Sequence, residues 1–171
     1  MSDFQSAASI QGRQFAEQCD LLLKNSGFQL VPKVLVGAVG IEVDREAVSP
    51  SGRVIWFEYK GSVQGRRPGL MRTDTLKKAI ANGALLAAIP EHPPYVVLTS
   101  HLPEAGAGLA MLRTALELGF FADVSCIYDP KQTGRLSALY REGPRTGGSP
   151  FGGGWRVSCV RGRRVVVGGC R

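Results

Sequence analysis

Asp44, Glu58 and Lys60 stand in the stretch IEVDREAVSPSGRVIWFEYKGS, residues 41–62, at positions where a half-buried sheet would carry apolar side chains. Carboxylates that face one another across a sheet repel, and the usual neutralisers are a divalent cation or a neighbouring ammonium group. Two acids and an amine on one face therefore point to a divalent metal site. The competing reading is a solvent-facing hairpin whose charges never meet.

The elements that carry these residues decide whether they meet. Ile41, Val43 and Ala47 before the Pro50–Ser51–Gly52 turn, and Val54, Ile55, Trp56 and Phe57 after it, predict a hairpin. A four-residue loop sets Asp44 opposite Phe57, and a three-residue loop sets it opposite Glu58. Glu58 and Lys60 are two apart and share a face, and directly opposed Cβ atoms lie about 5 Å apart.

Around the hairpin, Phe15, Cys19, Leu22 and Leu23 form one helical stripe within residues 11–25, stopped by Gly27. GFQLVPKVLV reads as a strand that Pro32 demotes to an edge or bend. Thr73 is the expected N-cap of a second helix with a stripe of Leu76, Ile80, Gly83, Ala84 and Ala87, ended by Pro90. A strand at 95–100, a helix within 103–118 and an apolar strand at 120–128 predict a parallel crossover, and a short helix follows within 131–141. The order is α-β-β-β-α-β-α-β, an α/β fold with a mixed sheet flanked by helices.

The 171 residues suit one compact domain, with 44% apolar content and a net charge of +7. That charge is unevenly spread: residues 1–130 hold 12 Lys/Arg against 13 Asp/Glu, and residues 131–171 hold 9 against 1. We therefore divide the chain into a domain over 1–142 and a Gly/Arg-rich tail over 143–171, expected to be flexible, that reads as a nucleic-acid arm or as an appendage. Within the domain, Lys60, Arg66, Arg67, Arg72, Lys77 and Lys78 face only Asp74, a cation run that begins inside the carboxylate cluster and favours a phosphate-facing role. Cys19, Cys126, Cys159 and Cys170 form no CxxC pair, and His92 and His101 lie far from them, so zinc-site spacing is absent. No apolar run approaches membrane-spanning length and no signal pattern opens the chain, so no membrane is expected and a reducing cytoplasm is the default. Gly37 and Gly40 form no phosphate-cradling motif, which argues against a nucleotide-binding regulatory domain.

A helix, a three-strand meander with GIEVDREA and WFEYKGS on its second and third strands, then a helix and a strand, resembles the core of the PD-(D/E)XK, or restriction-endonuclease-like, nucleases over residues 11–128. The resemblance implies an αβββαβ core and hydrolysis of DNA phosphodiester bonds with Mg2+, or Mn2+ in its place. It implies Asp44 and Glu58 as metal ligands with the Tyr59 carbonyl, and Lys60 as the catalytic lysine. Many relatives add a glutamate from the first helix, here Glu17. The helical wheel sets Glu17 at about 200° from Phe15, nearly opposite the apolar stripe, so ligand and solvated residue both remain open. Glu42 shares a face with Asp44, and Ser62 and Gln64 follow the motif without a fixed role. The implied partner is DNA, contacted by Arg66, Arg67, Arg72, Lys77 and Lys78. The enzyme would be an endonuclease of restriction, repair or recombination, or a structure-selective resolvase of the Holliday-junction type, and a homodimer would pair two single-strand cuts. A DNA-binding protein that kept the fold and lost turnover is the non-catalytic alternative; the intact Asp44, Glu58 and Lys60 argue against it.

Overall fold

The computed structural model describes residues 3–61, 68–139, 157–160 and 163–166. Helix α1, Asp3–Asn25, begins earlier than its apolar stripe and buries Phe15, Cys19 and Leu23 at successive i, i+4 positions. It ends in a Schellman motif: Phe28 N–H donates to the Leu23 carbonyl (3.0 Å) and Gly27 N–H to the Lys24 carbonyl (2.9 Å), with Gly27 at φ +87°. Phe28 and Leu23 then pack in one cluster.

Strands β1 (Gln29–Val31) and β2 (Val34–Val36) pair with β4 (Arg45–Val48) and β3 (Ile41–Val43), respectively. One register serves both pairs, Val31 opposite Glu46 and Val34 opposite Val43, so they are two halves of a single long hairpin. It is broken at Pro32–Lys33 on one side and at Asp44 on the other. Proline has no N–H for the ladder, and the break it causes is matched across the pair. Two of the three expected strands are thereby split, and β2 and β3 form a separate two-stranded sheet.

The main sheet has the order β1-β4-β5-β6-β7, with β5 at Val54–Lys60, β6 at Tyr95–Thr99 and β7 at Asp123–Cys126. It is mixed: β1, β4 and β5 run antiparallel, while β5, β6 and β7 are parallel, joined through α2 (Thr73–Leu86) and α3 (Gly106–Glu117). All five residues of β6 are buried, as befits a central parallel strand covered on both faces. Trp56, Tyr95 and Val97 meet Leu76, Ala79 and Leu112 of α2 and α3 on one face. Ile55, Phe57, Val96 and Leu98 meet Phe15, Cys19 and Leu23 of α1 and Leu136 of α4 (Pro130–Leu139) on the other.

Two expectations need adjusting. Arg72, not Thr73, occupies the N-cap of α2, without a side-chain cap. The buried stripe is Leu76, Ala79, Gly83 and Leu86 rather than one through Ala84 and Ala87. Gly83 decides that rotation, because a Cβ there would lie 2.5 Å from the Phe120 carbonyl oxygen, and only glycine permits so close an approach. In the tail, β8 (Val157–Val160) and β9 (Arg163–Val166) pair as an antiparallel hairpin.

Candidate metal centre

The β4–β5 turn takes the three-residue form. Ser49 N–H donates to the Arg53 carbonyl at 2.8 Å, enclosing Pro50–Gly52, and Gly52 has φ +81°, the left-handed last position such loops use. Pairing then runs from Val48 opposite Val54 to Arg45 opposite Phe57. One step further along that register, Asp44 faces Glu58.

There the ladder stops. Asp44 Oδ2 accepts the Tyr59 N–H at 2.8 Å, the donor that a continued β-ladder would have used. Backbone groups alternate sides along a strand, and the Lys60 carbonyl points toward β6, where the Thr99 hydroxyl donates to it at 2.7 Å. The Tyr59 carbonyl therefore points to the opposite side, toward Asp44.

Glu58 is 2% exposed. Its Oε1 takes the Lys60 ammonium and the Asn82 amide of α2 (3.3 Å), and its buried Oε2 has no hydrogen-bond partner among the described residues. Burial pushes the Glu58 carboxyl above the usual range; Lys60 pulls it back and Asp44 adds to the rise. The buried Tyr95 hydroxyl lies close enough to the Glu58 carboxylate to pull its pKa down, though outside the geometry of an ordinary hydrogen bond. Burial, and next the Glu58 charge, push the Tyr95 hydroxyl up as well. A buried carboxylate oxygen without a full hydrogen bond is costly unless something charged or polar joins it.

Of the predicted site residues, Asp44, Glu58 and Lys60 come together, with the Tyr59 carbonyl aimed at the same place. Glu17 does not join them: it is exposed on α1, which packs on the opposite face of the sheet. Glu42 is exposed and paired with Lys33. Arg72 is exposed and paired with Asp74, and Lys77 and Lys78 are exposed on α2, where Lys78 lies one turn before Asn82 on the same flank. Ser62, Gln64, Arg66 and Arg67 lie outside the described residues. Asn82 and Tyr95 escaped the sequence reading. Asn82 borders the true apolar stripe of α2, but the stripe through Ile80 and Ala84 hid it.

The Asp44 and Glu58 carboxylates, with the Tyr59 carbonyl, are oxygen donors of the kind a hard divalent cation takes. No group of three or more acidic, histidine or cysteine side chains suited to a metal occurs among the described residues, so two side chains and a carbonyl are the set on offer. A cleft of about 690 Å³ lies elsewhere, along the free edge of β7, lined by Leu112, Leu116, Asp123, Val124 and Arg135. It contains none of the converging residues. No protein-family model, curated protein or solved structure matches the chain. No helix among the described residues is long and apolar enough to cross a membrane.

Proposed function

We propose that the protein is a metal-dependent DNA endonuclease with a PD-(D/E)XK-like αβββαβ core, residues 1–142 forming the nuclease domain. The observation that carries this reading is the meeting of Asp44, Glu58 and Lys60 at the end of the ladder, with Glu58 Oε2 buried and without an ordinary hydrogen-bond partner among the described residues.

Asp44, Glu58 and the Tyr59 carbonyl would hold Mg2+ or Mn2+. That ion supplies an acidified water and charge neutralisation at the phosphate. Phosphodiester hydrolysis forms one P–O bond to water and breaks one to a sugar oxygen, and negative charge accumulates on the phosphoryl oxygens between the two events. Lys60 would supply the compact ammonium that stabilises that charge. The exposed Lys77 and Lys78 of α2, with Arg72 beside its partner Asp74, would attract the DNA backbone, a salt-sensitive attraction that carries no sequence information. Arg66 and Arg67 lie outside the described residues, between Gly61 and Pro68 in the sequence.

A second reading, a non-catalytic DNA-binding protein, draws on one observation: Lys60 already neutralises Glu58 as a structural ion pair would. Supercoiled plasmid and a four-way junction, each incubated with the full chain in Mg2+, Mn2+ or EDTA, decide between them. The nuclease reading expects metal-dependent cleavage that Asp44→Asn and Glu58→Gln abolish, and the preferred DNA separates a plasmid-cutting enzyme from a resolvase. Folded protein that binds DNA and leaves both substrates whole with either metal overturns it.

A further inference from the structure

The two carboxylates stand just past the last rung between β4 and β5, where ladder hydrogen bonds no longer hold the strands in register. Something else must fix their separation. On the opposite face of the same strands, Asp20 of α1 gathers three donors: Arg45 Nε at 3.0 Å and the Tyr59 hydroxyl at 2.7 Å on Oδ1, and a terminal Arg45 nitrogen at 2.5 Å on Oδ2. The other terminal nitrogen of Arg45 donates to the Val31 carbonyl of β1 at 3.3 Å. Helix α1 and strands β1, β4 and β5 are thus tied at one point.

Arg45 follows Asp44, and Tyr59 lies between Glu58 and Lys60. Neighbours along a strand point to opposite faces, so a clamp on Arg45 and Tyr59 from one side sets the backbone that carries Asp44, Glu58 and Lys60 on the other. Tyr59 links the two directly, with its hydroxyl on Asp20 and its N–H on Asp44. We propose that Asp20, Arg45 and the Tyr59 side chain form a positioning lock that holds the Tyr59 N–H on Asp44 and so sets the spacing of the two carboxylates. Its catalytic consequence rests on the nuclease reading, whereas its structural core does not. The planar guanidinium suits the task, because it engages both Asp20 oxygens and cannot pivot as an ammonium would.

The test uses Tyr59→Phe and Asp20→Asn in the full chain, with Gln18→Ala as a control. Gln18 also lies on α1 and accepts an exposed hydrogen bond, from Tyr128 at 2.7 Å, but has no link to Tyr59. Hydrogen exchange of the amide at position 59, without metal or DNA, should quicken about tenfold in both variants and stay unchanged in the control. Mn2+ affinity by calorimetry should fall about tenfold, the low end of what loss of a ligand-orienting partner costs. Cleavage should recover most of its rate at saturating Mn2+.

A lower melting temperature with amide exchange and Mn2+ affinity both unchanged overturns the lock, since a purely structural network behaves that way. If the wild type binds no metal and cuts no DNA while Tyr59→Phe still frees the amide, the lock stands and the nuclease reading falls.

Discussion

The two faces of the β4–β5 pair carry polar side chains from adjacent residues and treat them in opposite ways. Toward α1, Asp20, Arg45 and Tyr59 close a network in which both carboxylate oxygens are engaged. Toward α2, Asp44, Glu58 and Lys60 leave a buried carboxylate oxygen without a partner among the described residues. A satisfied network rigidifies, and an unsatisfied one stores a cost that a ligand can relieve. The same few residues of strand thus supply a brace on one side and an open valence on the other. Asp123 shows that burial alone does not make the second kind. Its carboxyl is also pushed up by burial, but it accepts the Ser125 hydroxyl at 2.9 Å, and Arg135 offsets part of the rise.

The largest expected effect belongs to the open face. On the nuclease reading, Lys60→Ala should lower single-turnover cleavage by about a hundredfold or more, in line with losing one group that stabilises transition-state charge. It also leaves Glu58 buried without its cation, so the metal-free melting temperature should fall and divalent metal should restore much of it. Turnover near the wild-type value would return the Glu58–Lys60 pair to structure alone.

Gly61 joins the two faces, because it follows Lys60 and lies against Phe15 of α1. A Cβ at Gly61 would fall 2.3 Å from the buried Phe15 ring, so Gly61→Ala should cost about 1–3 kcal/mol by overpacking. Chemical denaturation measures it, and an unchanged midpoint would mean that α1 is not seated tightly beneath the site.

A smaller effect, defined by its sign, is expected at Asp123. Its folded pKa is raised, so its contribution to stability is present below the unfolded value of 3.8 and is lost as pH rises through the folded value. Asp123→Asn keeps an acceptor for Ser125 and removes the titration. Its stability relative to wild type should therefore climb across that window and level off above it, as urea melts at a series of pH values will show. A difference that does not vary with pH would remove Asp123 from the comparison as a buried, titrating acid.

The smallest effect is expected at Glu17, exposed on the braced side. Glu17→Gln should shift stability by no more than about 0.5 kcal/mol and, on the nuclease reading, leave cleavage unchanged. Strong loss of cleavage would show that α1 contributes a ligand after all, and the separation of the two faces would break down.

Much of this arrangement was legible in the sequence. The alternation through Ile55–Phe57, the i, i+4 stripe of Phe15, Cys19 and Leu23, and the Pro-Ser-Gly turn are signals carried within a few residues. They gave the alternation of helices and strands, apart from the two strands that the Pro32–Asp44 break splits, together with the mixed sheet and the three candidate side chains. The wheel already set Glu17 opposite the helix stripe. What stayed hidden depended on partners far along the chain. Asn82 reaches Glu58 because Gly83 lets α2 approach the Phe120 carbonyl, and no property of residues 73–86 alone announces that rotation.

The sequence by itself determined which residues lie on strands and which side chains share a face, because strand and helix periods are local geometry. It left the loop length open by one residue, and with it whether Asp44 faced Phe57 or Glu58. Only the tertiary structure decided that register, ended the ladder at Asp44, and brought Asp20 under Arg45 and Tyr59. Those outcomes depend on how whole elements seat against one another: Phe15 on Gly61, Gly83 on the Phe120 carbonyl, the break shared by Pro32 and Asp44. Packing of that kind sums over contacts between distant segments, and a local pattern holds no record of it.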